Sequence, residues 1–104
     1  INERYQFDKP TKNFVDELFK STIKNQSILD KKIEASLENW TLERVNIIDR
    51  LIMQMSICEM SFMKDYNISH KVTISSAIEN AKKFSSEDST AFVNGVLDSV
   101  YKTL

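Results

Sequence analysis

Asn46–Met63 reads NIIDRLIMQMSICEMSFM, and the fold turns on that run. Eleven of the seventeen residues from Ile47 to Met63 are apolar, and they fall on nearly every side of a helical wheel. A helix apolar all round is buried on most of its circumference. The run is shorter than a bilayer span needs, and Asp49, Arg50, Gln54 and Glu59 interrupt it. It therefore predicts a central helix with others wrapped around it. The fold class is all-α: a compact bundle of about five helices around a buried central helix.

Upstream, Ile1–Lys9 is a polar lead-in with Tyr5 and Phe7. Asp8, Pro10 and Thr11 form a helix-start cluster. A first helix is expected to about Asn25, with Phe14, Leu18 and Thr22 in one apolar row and Val15, Phe19 and Ile23 beside it. Ser27 followed by Asp30 resembles a capping box with Asp in place of Glu. It opens a second helix to about Glu38 that buries Leu29, Ile33 and Leu37. Asn39-Trp40-Thr41 is a connector, Trp40 a core plug at the junction or else a stacking platform for a base. Leu42–Val45 suits a single turn.

Downstream, Lys64–Lys71 reads as a polar loop holding His70. Thr73 can cap a fourth helix to about Phe84, with Ile74, Ala77, Ile78 and Ala81 inward. After the turn Ser85–Ser89, Ser86 can cap a fifth helix, and Glu87 and Asp88 suit the positive end of its dipole. That helix carries Phe92, Val93, Val96, Leu97, Val100 and Tyr101. Gly95 in its middle costs roughly 1 kcal/mol against Ala. It implies close helix–helix approach there, or room for something outside to reach the backbone.

At 104 residues the chain is one domain with enough length to bury a core. One Gly and one Pro disfavour turn-dense all-β architectures. Cys58 is the single cysteine, which excludes an internal disulfide and fits a reducing, intracellular compartment. Its place between Ile57 and Glu59 in the apolar run makes it a buried structural thiol rather than a nucleophile. His70 alone cannot build a zinc site, and one glycine excludes a glycine-rich phosphate loop. Met53, Met55, Met60 and Met63 all lie in the central run, where core filling is the plain explanation and an adaptable partner groove the sharper one. No signal peptide or membrane segment is visible. No cofactor, metal or catalytic set is expected. A net charge of −1, with Lys and Arg spread evenly, argues against strong autonomous binding to RNA or DNA.

A functional reading comes from the far end of the chain. The stretch KVTISSAIENAKKFSSEDSTAFVNGVLDSV, Lys71 to Val100, closely resembles the end of the NusB family. There a helix of the type K-V-x-I-N-E-A-I-E-x-A-K-x-F leads through a G-x-E-D-S turn into F-V-N-G-V-L-D. NWTLERVNIIDRLIMQMSICEM, Asn39 to Met60, is similar to that family's W-x-x-x-R-x-x-x-x-D-R-x-I-L-R-x-A-x-Y-E-L segment. FVDELFKSTIKN with Leu29-Asp30 fits the helix before it.

The resemblance implies an all-helical, non-enzymatic domain acting in transcription antitermination in the cytoplasm. Its partners would be NusE, which is also a ribosomal protein, the boxA element of ribosomal RNA transcripts, and the RNA polymerase antitermination complex. Phe92 would be an aromatic platform for RNA, with Asp88 beside it and Lys82 as a further RNA contact. Asp49, Arg50 and Glu59 would lie on the NusE-binding side. The plain alternatives are Phe92 as core, Asp88 as a cap and Glu59 as a helix-pairing residue.

The departures matter too. The family's arginine-rich N-terminal helix has no counterpart, so residues 1–104 read as the C-terminal part of a longer homologue, or as a version that binds RNA weakly. Gln54 stands where the family usually has Arg, Ser75-Ser76 where it has Asn-Glu, and Thr90-Ala91 where many members carry a Lys or another polar contact. Two other readings compete. One is the RNA-binding accessory domain of a ribosomal RNA cytosine methyltransferase, which a catalytic domain after Leu104 would favour. The other is a protein-only interaction module.

Overall fold

The computed structural model describes residues 9–37 and 41–104. Among these are five α-helices and no strand: α1 Lys9–Lys24, α2 Gln26–Ala35, α3 Ile47–Phe62, α4 His70–Phe84 and α5 Glu87–Tyr101. Single 3-10 turns at Leu42–Arg44 and Lys64–Tyr66 lead into and out of α3. Asp8 and Trp40, to which the sequence assigned a cap and a core plug, lie outside the described residues.

α3 touches each of the other four helices, as an apolar run in mid-sequence should. Met53, Ile57 and Cys58 are wholly buried. They meet Leu29 and Ile33 from α2, Ala77 and Ala81 from α4, and Val93, Leu97 and Val100 from α5 in one core. The cysteine is interior, as its position implies. α3 is not buried all round, however: Ile47 is 78% exposed, and Ile48, Leu51 and Phe62 also reach the surface. On α1 the Leu18 and Thr22 row is buried with Phe14 packed against it, but the row beside it is not, Phe19 being 61% exposed. One apolar row suffices to seat α1 on α3.

The helix starts show where local chemistry decides and where a neighbour overrides it. Asn46 caps α3, its side chain accepting from the Ile48 amide at 2.7 Å. Ser86 caps α5, accepting from the Ser89 amide at 3.1 Å, as read from sequence. The Ser27–Asp30 capping box does not form. α2 begins one residue after α1 ends, with Asn25 as a junction whose side chain makes no cap bond. Asp30 is drawn instead to α3, where Oδ2 accepts from Arg50 at 2.8 Å and Oδ1 from Gln54 at 2.6 Å.

α4 starts four residues earlier than the Thr73 cap predicted. Ser69 caps it, accepting from the Lys71 amide at 3.2 Å, and Thr73 bonds Glu59 of α3 at 2.8 Å. His70, read as a loop residue, is in the first turn of α4 and stacks on Tyr101, ring centres 3.7 Å apart. Gly95 marks no close helix crossing: a Cβ placed there meets nothing within 4 Å.

Candidate nucleic-acid interface

The N-termini of α3 and α5 converge. Two helix N-termini side by side bring two positive dipole ends together, and a carboxylate between them offsets the repulsion. Asp49, in the first turn of α3, fills that place. It is 4% exposed, and its Oδ2 accepts from Ser89 Oγ of α5 at 2.7 Å. Ser89 Oγ lies 3.0 Å from both the Ser85 and Ser86 hydroxyls, so the α4–α5 turn hangs on one buried hydroxyl–carboxylate pair. Asp49 Oδ1 has no hydrogen-bond partner among the described residues.

Above this pair opens a recess of about 270 Å³ lined by Arg44, Val45, Asn46, Asp49, Asp88, Ser89 and Phe92. Leu42 is buried and anchors the 3-10 turn that ends in Arg44, which places an exposed guanidinium at the rim. Phe92 is half-buried, one side packed against the core and the rest facing the recess. Asp88 is exposed in the first turn of α5. A flat ring with a cation at the rim suits the face of a nucleobase and one phosphate, and the carboxylates suit the N–H donors of a base edge.

The structure thus brings Asp88 and Phe92 together, as the resemblance implied, and adds Asp49, which sequence reading had put on the protein-partner side. Lys82 is exposed near the end of α4, its Nζ 4.0 Å from Glu87 Oε1. The three residues assigned to the partner protein lie on different flanks of α3. Asp49 faces α5. Arg50 faces α2, and its hydrogen bond to Asp30 raises its pKa above an already high value, against the opposing effect of burial. Glu59 faces α4 and also lines a broader depression of about 640 Å³ with Lys64, His70, Tyr101 and Lys102.

Gln54, which stands where the family usually has Arg, is buried and bonded to Asp30. The substitution is an interior one. Arg44 escaped the sequence reading although it is the arginine of the W-x-x-x-R pattern. Its place in the same recess as Asp88 and Phe92 appears only in the folded chain.

Fold and recess together define a small all-helical binding domain. Among the described residues no group of three His, Cys, Asp or Glu could hold a metal ion, and no helix is long and apolar enough to cross a membrane. The chain belongs to the NusB family, which matches residues 1–102. It is 42% identical over 94 residues to the transcription antitermination protein NusB of Bacillus mycoides strain KBAB4, covering 90% of this chain and 71% of that protein. It is 40% identical over the same length to the NusB of Bacillus thuringiensis strain Al Hakam. Among solved structures, T. maritima NusB superimposes with a TM-score of 0.86 at 37% identity, over 98% of this chain and 69% of that one. A chain in the crystal structure of a plectonemic RNA supercoil shares the fold, with a TM-score of 0.87 at 24% identity, over 98% of this chain and 72% of that one.

Proposed function

We propose that the chain acts in transcription antitermination in the cytoplasm, binding boxA-type ribosomal RNA transcript jointly with the ribosomal protein NusE at RNA polymerase. It works by binding and not by catalysis. The observation that carries the reading is the recess of about 270 Å³ at the α3–α5 junction, lined by Phe92, Asp88 and Arg44, in a chain of the NusB family. Phe92 supplies the stacking face, Asp88 the polar edge, and Lys82 a phosphate contact further along. Arg50 and Glu59 are the groups of α3 offered to NusE, with Asp49 holding the junction from beneath.

Net charge of −1 limits what the domain does alone, because phosphate neutralisation supplies most non-specific affinity. Isothermal titration is expected to show weak binding to boxA RNA, a gain when NusE is added, and direct binding to NusE. Absence of both NusE binding and the RNA gain would overturn the proposal. Phe92→Ala is expected to weaken RNA binding by roughly 1–3 kcal/mol with helicity retained. Loss of helicity on that change would assign the ring to the core instead.

A further inference from the structure

Phe84 is the last residue of α4 and is 61% exposed. It is left out of the core although a phenylalanine side chain gains most by burial. Its surroundings differ from those of the other exposed apolar residues. Phe19 and Ile23 share a helix face with Val15, so that surface is apolar in its own right. Phe84 has Lys83 Nζ 5.3 Å from its ring centre, and the Lys82 side chain beside it in sequence is 67% exposed.

A protein hot spot needs an apolar surround that excludes water. A nucleobase needs only one ring face and cations for the flanking phosphates. Lys83 lies over the ring, and with 61% of the residue exposed much of the side chain is open to solvent. Only the short Ser85–Ser86 turn separates this ring from α5, which begins at Glu87 and carries Phe92.

We propose that Phe84 is a second base-stacking platform for single-stranded RNA, with Lys83 and Lys82 contacting the adjoining phosphates. The proposal rests on the RNA-binding reading above and extends it from one base to a track across the α4–α5 turn. Because the ring is largely outside the core, its replacement leaves the fold intact, which circular dichroism checks.

The test measures affinity for a boxA-type oligoribonucleotide by the 104-residue chain with NusE present, alongside Phe92→Ala. Phe84→Ala and Phe84→Leu are each expected to weaken RNA binding about tenfold, while Phe84→Trp keeps it. A fluorescent purine analogue placed along the RNA is expected to be quenched by the wild type at one position and not by Phe84→Leu. Unchanged affinity in both Phe84→Ala and Phe84→Leu, with loss in Phe92→Ala, would overturn this proposal alone. So would a Phe84→Leu variant that binds like wild type while Phe84→Ala does not, since that signals an apolar contact and not stacking. Loss of NusE binding with RNA affinity unchanged would assign the ring to a protein partner. Failure of the wild type to bind RNA at all would overturn both readings together.

Discussion

Gly95 costs stability with no packing reason. It sits mid-helix in α5 with nothing within 4 Å of the place a Cβ would occupy, so no helix contact requires it. Glycine there costs helix stability through backbone entropy alone. Gly95→Ala is therefore expected to stabilise the domain by about 1 kcal/mol, read as a rise in the urea midpoint at unchanged slope. The same variant gives a second readout. Gly95 lies one turn beyond Phe92 on α5, and Ala91, Asn94 and Gly95 are all exposed. If RNA or NusE approaches the α5 backbone closely there, the stabilised variant binds it less well. Unchanged binding would leave Gly95 without a role at the interface.

At the scale of elements, the α2–α3 and α3–α5 contacts each add one carboxylate to their apolar packing. Asp30 joins α2 to α3 through Arg50 and Gln54, and Asp49 joins α3 to α5 through Ser89. Asp30→Ala strips both donors of their partner, and Gln54 is 4% exposed, so its amide has little access to water. Destabilisation of about 2 kcal/mol is expected, measured by thermal unfolding, with recovery in Asp30→Asn limited because the amide lacks the charge that Arg50 pairs with. These joints mark the boundary of what sequence alone could show. The helices, the cap at Ser86 and the inward faces of α4 and α5 are local patterns, set by residues within a turn of one another. The destinations of Asp30, Thr73 and Asp49 are not local. Each is drawn to a partner at least 14 residues away, and no spacing rule reports such a partner. The same holds for the recess. Phe92 and Asp88 were legible because they share one helix and one motif, whereas Arg44 joins them only through the folded 3-10 turn.

For the whole molecule, the question is how a domain with 14 Lys and Arg against 15 Asp and Glu holds a polyanion. Its answer is placement. Arg44 stands at the rim of the recess, and Lys82 and Lys83 stand at the end of α4, while the Asp30 and Asp49 carboxylates are taken up by contacts between helices. Three cations within reach of RNA set an upper limit on counterion release. For a single strand, that number gives a slope of log affinity against log salt of about −2. A salt titration of RNA binding by the isolated chain is expected to be that shallow, with most of the free energy coming from stacking on aromatic rings, which salt barely touches. Adding NusE should raise the affinity and steepen the slope only by the phosphates NusE itself contacts. A steep slope for the chain alone would mean that RNA spreads over lysines far from the α3–α5 junction, and the recess would then lose its claim as the primary contact. Arg44→Ala sharpens the comparison: it should reduce the slope by about 0.7, consistent with a single phosphate, and leave the quenching of a stacked purine analogue unchanged.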